Sequence, residues 1–156
     1  MVRSRLALLG LALALLAVLP ATAFAADSNA ERSRVVIGFE LHFTGPDSTA
    51  GTFVASGAVQ DAGTSTVRDI VLVPFGRQDK ARLSGEQTFA GAKGSIVTQF
   101  RGIAEDVSKP QQFGRGRFTI VSGTGAYADL EGRGRFTIVV DVVGNHLIGT
   151  ELGHVH

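Results

Sequence analysis

In the stretch Glu-Leu-His at 40–42, a carboxylate and an imidazole stand two positions apart. Residues i and i+2 of a strand project from one face, so Glu40 and His42 could work as an acid–base pair. They alternate with the apolar row Val35, Ile37, Phe39, Leu41 and Phe43, so their own face is expected to look outward, to solvent or a neighbouring subunit. Arg101 shares one phase of a later segment with Gln99, while Ile96, Thr98 and Phe100 hold the other, and either set could line an interior. Glu40, His42 and Arg101 are therefore the catalytic candidates. His154 and His156 also alternate, a spacing that suits a metal bound on a strand. His146 has their parity but lies more than ~25 Å away along a straight strand at about 3.3 Å per residue. Two ligands at a chain end fall short of a site, so no metal is expected. There is no cysteine, which removes disulfides, thiol catalysis and Cys-ligated metals. No G-x-S-x-G elbow occurs either.

The octet GRGRFTIV occurs twice, at 114–121 and 132–139. A strand at 118–121 followed by Gly123-x-Gly125-x-x-Ala128, with Asp141 ending the next strand, has the parts of a dinucleotide fingerprint in order. The spacing defeats that reading, because a parallel crossover needs a helix of about ten or more residues and Gly132 and Gly134 intervene first. An antiparallel hairpin is the simpler account. In the register that opposes Phe118 to Phe136, Gly116 faces Ile138 and Ile120 faces Gly134. Arg115 and Arg133 would then sit six residues apart, about 20 Å at ~3.3 Å per residue, a diagonal rather than one patch.

The elements that must carry these residues are short and β-like. Alternating or β-branched segments at about 34–44, 52–60, 64–73, 82–89, 95–103, 114–121, 132–139 and 146–155 are separated by turn residues, including Gly45-Pro46-Asp47-Ser48, Asp61-Ala62-Gly63 and Gly144-Asn145. Eight strands with no long helical pattern predict an all-β sandwich or closed barrel. Glycine, 20 of 156 residues, is nearly twice its usual share of about 7%, and it is spaced among β-branched and aromatic residues as in strands that bend and pack closely. Tyr127 and Leu130 lie three apart on a single expected turn and are placed to cap one end of the core.

Ahead of this region, Arg3 and Arg5, an apolar run at 6–19, Pro20 and Ala23-Phe24-Ala25 read as a secretory signal peptide over 1–25. A polar arm at 26–33 and one domain at 34–156 follow. The expected location is secreted or extracytoplasmic, with no membrane span after signal cleavage. Without Arg3 and Arg5 there are 13 basic against 14 acidic residues, a net charge of −1, which argues against a nucleic-acid partner.

The run Gly123-Thr124-Gly125-Ala126-Tyr127-Ala128-Asp129-Leu130-Glu131-Gly132 resembles the G-T-G-x-[YF]-x-x-x-x-G segment of the allene oxide cyclase and dirigent barrel superfamily. Leu83-Ser84-Gly85-Glu86-Gln87-Thr88-Phe89, with Gly91 and Gly94-Ser95-Ile96, resembles that superfamily's small bacterial exported members. The resemblance covers about residues 35–152. It implies an eight-stranded antiparallel closed barrel with an apolar cavity, often a homo-oligomer. Members of both named groups hold a reactive organic intermediate in one conformation while it cyclises or couples, with no cofactor. Their acidic catalytic residues have no position-by-position match in this chain.

Three functional readings stand beside one another. The barrel could bind a small hydrophobic molecule, with Phe39, Phe53, Phe89, Phe100, Phe118, Tyr127 and Phe136 as the ligand-contacting set. It could be a cofactor-independent cyclase or isomerase acting by conformational confinement, which a polar group of shifted pKa inside the cavity would favour. Or it could be packed shut and serve as an interaction module.

Overall fold

The structure, a computed structural model, describes residues 33–76 and 79–156. The expected signal segment, and all of the expected arm except Ser33, lie outside the described residues. Eight strands follow in chain order: β1 (Arg34–Gly45), β2 (Ser48–Gly57), β3 (Asp61–Pro74), β4 (Lys80–Gly91), β5 (Ser95–Glu105), β6 (Gln111–Gly123), β7 (Gly132–Asp141) and β8 (His146–Val155). A three-residue 3-10 turn, η1 (Gly125–Tyr127), is the one other named element. Each strand pairs antiparallel with its neighbour in sequence, and β8 returns to β1, so the sheet closes as an eight-stranded antiparallel barrel with no free edge. Among the described residues no helix is long and apolar enough to cross a membrane.

Period-2 patterning sets which face is inside. Val35, Ile37, Phe39 and Leu41 are buried, while Arg34, Glu40 and His42 are exposed. On β5 it is Ile96, Thr98 and Phe100 that point inward, and Gln99 and Arg101 that point out. β3 departs from strict alternation. A bulge between Arg68 and Val71, with Asp69 at φ 56°, shifts the phase so that Ile70 packs against the core.

The up-and-down path places the 57–61, 91–95 and 123–132 connections at one end of the barrel, and the 45–48, 74–80, 105–111 and 141–146 connections at the other. The first end is closed. Tyr127 is buried there with Leu130 packed behind it, as the spacing predicts. The Tyr127 hydroxyl donates to Asp61 Oδ2 at 2.9 Å, and the same carboxylate accepts from the backbone N–H groups of Ala92 and Lys93. Asp61 thus ties three connections together.

Two expectations are corrected. The turn placed at Asp61-Ala62-Gly63 falls earlier, between Gly57 and Asp61: Gly57 has φ 90° and Val59 is buried, so Asp61 already opens β3. The two octets do form an antiparallel hairpin, but two residues out of the expected register, with Phe118 opposite Gly134 and Gly116 opposite Phe136. The rings lie over the glycines rather than against each other. A Cβ on Gly116 would stand 2.6 Å from Phe136 Cε1, and one on Gly134 2.6 Å from Phe118 Cε1.

Candidate functional site

The interior is full at the capped end and open at the other. Phe53 and Phe89 pack edge-on with ring centroids 5.2 Å apart, and Phe118 is buried beside β7 and β8. Towards the opposite end a cavity of about 90 Å³ remains, with Phe39, Phe100, Phe136 and Leu41 among its walls and Phe43, Leu72 and Phe113 at its mouth. That is several times the ~10–15 Å³ a single water needs. It is smaller than the ~300–1,000 Å³ of a site that swallows a drug-sized molecule.

Four polar side chains line this largely apolar space: Thr49, Gln87, Gln112 and Glu151. Gln87 Nε2 donates to Ser65 Oγ at 2.9 Å and Gln112 Nε2 to the Val107 carbonyl oxygen at 2.8 Å, so both amides are held in place. Glu151 comes from β8, where Leu147, Gly149, Gly153 and Val155 share its inward phase. The glycines on either side leave room for rings. A Cβ on Gly149 would collide with the Phe39 ring, and one on Gly153 would stand 2.8 Å from Phe118 Cζ. Opposite Glu151 on the neighbouring strands are Phe136 and Ile37, so the carboxyl is walled by hydrocarbon.

Glu151 is 1% exposed. Among the described residues its one hydrogen bond is a long one, Thr98 Oγ1 donating to Oε1 at 3.3 Å across the barrel, and Oε2 has no partner. Burial drives the pKa up to about 8, and the single hydroxyl donor offsets little of that. At neutral pH the group is mainly the uncharged acid, able to donate a hydrogen bond into the cavity. Thr49 Oγ1 is the other buried side-chain polar atom without a partner among the described residues, and it lines the same cavity.

The residues singled out from sequence separate into two sets. Phe39, Phe100 and Phe136 line the cavity; Phe53, Phe89 and Phe118 are buried but lie outside its wall, and Tyr127 caps the far end. Glu40 and His42 are on the outer surface and do not pair with each other. Glu40 Oε1 lies 2.8 Å from His146 Nε2, whereas His42 Nδ1 lies 2.8 Å from the Asn145 carbonyl oxygen. Arg101 faces outward, away from the cavity. His154 sits on β8 opposite Arg34 and Arg133, and His156 lies 3.6 Å from Glu131. Among the described residues no three His, Cys, Asp or Glu side chains gather to hold a metal ion.

Glu151 was legible in principle. The period-2 phase through Leu147, Gly149, Gly153 and Val155 passes through it, but attention to the histidines selects the opposite phase. Comparison of the chain with protein-family models, with curated proteins and with solved structures gives no match.

Proposed function

We propose that the barrel binds a small, largely apolar molecule bearing an acceptor oxygen, with its oxygenated end on the protonated Glu151 and its remainder directed to the mouth at Phe43, Leu72 and Phe113. One observation carries this reading: Thr49 Oγ1 and Glu151 Oε2, the two buried side-chain polar atoms without a partner among the described residues, belong to residues lining one cavity whose other polar side chains, Gln87 and Gln112, are already hydrogen-bonded. Buried polar groups need partners, and an unmade hydrogen bond costs about 1–3 kcal/mol, so a ligand oxygen gains affinity there. The test is a nuclear magnetic resonance titration with cyclohexanone and with methylcyclohexane. The wild type is expected to bind the ketone about tenfold more tightly, the worth of ~1.4 kcal/mol, and Glu151→Leu to lose that preference. No binding of either compound, or a preference that survives in Glu151→Leu, overturns the proposal.

Glu151 also favours a second reading, a cofactor-independent isomerase or cyclase of the kind the resemblance implies. A neutral carboxylic acid at neutral pH can protonate a carbonyl or ether oxygen, and the resulting carboxylate can take a proton from an adjacent carbon. The walls would hold the substrate in a reactive shape. Conversion of a β,γ-unsaturated cyclic ketone to its conjugated isomer, lost in Glu151→Gln, supports this reading; binding without conversion leaves the carrier. We read the protein as exported, on the signal-like segment at 1–25, and as a member of the allene oxide cyclase and dirigent superfamily, on the segments at 83–96 and 123–132.

A further inference from the structure

The register of the repeated octets has a consequence on the outside of the barrel. Arg101 on β5 is the direct cross-strand partner of Arg117 on β6, which is the direct partner of Arg135 on β7. With neighbouring strands about 4.8 Å apart, three guanidinium stems leave the surface within a row ~10 Å long. Arg115 lies one outward step along β6, opposite Thr137, and Arg133 one step the other way along β7, opposite Thr119. The expected diagonal spread of arginines is therefore replaced by a compact patch. All five are exposed.

Like charges directly opposite one another destabilise a sheet. Relief by acidic neighbours is nearly absent. Arg115 reaches Glu105 at 3.3 Å, a carboxylate already shared with Lys80, but Arg101, Arg117, Arg133 and Arg135 make no ion pair or hydrogen bond through their side chains among the described residues. Between the arginines stand Gln99, Thr119 and Thr137, uncharged groups that donate and accept hydrogen bonds. Gln99, Arg101, Arg115, Arg117 and Thr119 also line a shallow, open depression in the β5–β6 wall.

We propose that this arginine row is a second binding site, separate from the interior cavity, for an anionic polysaccharide carrying sulfate or phosphate esters. Guanidinium forks match tetrahedral oxyanions, and the interspersed amide and hydroxyl groups suit sugar hydroxyls. The surroundings disfavour other occupants. A single-stranded nucleic acid needs aromatic stacking platforms, and the depression has none. A flat bilayer does not follow a hollow in a barrel wall. A second copy of this chain would need a free acidic strand face. Among the outward strand carboxylates, Glu40, Glu86 and Glu105 are already paired with His146, Arg68 and Lys80, while Asp69 on β3 and Asp141 on β7 stand four strands apart and make no common face.

The test is fluorescence anisotropy of labelled dextran sulfate with the full chain, over a range of salt, for the wild type, the row variant R101Q/R117Q/R135Q and the charge-matched control R68Q/K93Q/K109Q. The row variant is expected to bind at least about tenfold more weakly, with a salt slope shallower by roughly two to three counterions. The control is expected to stay within about twofold of the wild type, the spread of a surface change away from the contact. If the row variant does not fold, Arg117→Gln alone is expected to weaken binding about threefold, a single lost phosphate-type contact. Equal weakening in row and control variants overturns the proposal, as does competition by neutral dextran. Tighter binding of an oligothymidylate, or of vesicles of phosphatidylcholine and phosphatidylglycerol, overturns it in favour of those partners.

Discussion

At the scale of single residues, the two buried groups with raised pKa values mark the cavity and the capped end of the interior. Burial pushes the Glu151 carboxyl from its ordinary 4.5 up to about 8. Below pH 4.5 it is protonated in both the folded and the unfolded chain, and its ionisation takes nothing from stability. From there to about pH 8 the folded state binds more protons than the unfolded one, so stability falls as pH rises, by about 1.4 kcal/mol per unit. Glu151→Gln should abolish this slope: chemical denaturation should find variant and wild type similar near pH 5, and the variant more stable by up to ~4 kcal/mol near pH 8. Parallel pH profiles would contradict the assignment. Tyr127, the one tyrosine in the chain, is pushed up to about 12, by burial first and then by its bond to the Asp61 carboxylate. The lone phenol makes this readable by ultraviolet titration. Ionisation should occur near 12 in the folded wild type and closer to 10 in Asp61→Asn, while a wild-type value near 10 would mean the cap is open. Tyr127→Phe should cost about 1.5–3 kcal/mol, the worth of a hydrogen bond to a charged acceptor.

Individual strands show why faces were easier to read than partners. Which side of β1 or β5 is buried follows from alternation within one segment, because successive Cβ atoms point to opposite faces whatever lies alongside. The pairing of β6 with β7 depends on two segments and the connection between them. A local preference for Phe against Phe favours one register, while the structure uses another in which each ring covers a glycine. That choice makes Gly116 a sharp test. Gly116→Val would force a side chain against the Phe136 ring and the Arg101 carbonyl oxygen, and is expected to destabilise by about 1–3 kcal/mol. Gly38, whose nearest neighbour to an added Cβ is the Val54 carbonyl oxygen at 4.0 Å, should accept alanine within about 0.5 kcal/mol. Equal effects at both positions, read from denaturation midpoints, would argue against this register.

Considered whole, the molecule is a closed wall with one capped end, one mouth, an acid inside and arginines outside. If the interior is a ligand site, native mass spectrometry of the chain recovered from its native host should show an added mass that vanishes on denaturation, and the same spectrum reports the subunit count. A clean apo mass under conditions that retain a known cyclohexanone complex would turn the reading towards the interaction module. Alternation and turn residues by themselves determined the all-β class, the eight strands, the antiparallel hairpin of the two octets and the role of Tyr127 and Leu130 as a cap, because each is encoded within a few neighbouring residues. Only closure of the barrel decided that Glu151 would meet Thr98 across the interior, that Asp61 would receive the hydroxyl of a tyrosine 66 positions away, and that three arginines from three strands would form one row. Those juxtapositions depend on register and on the path around the barrel, which pair residues far apart in the chain and leave no local periodicity from which to read them.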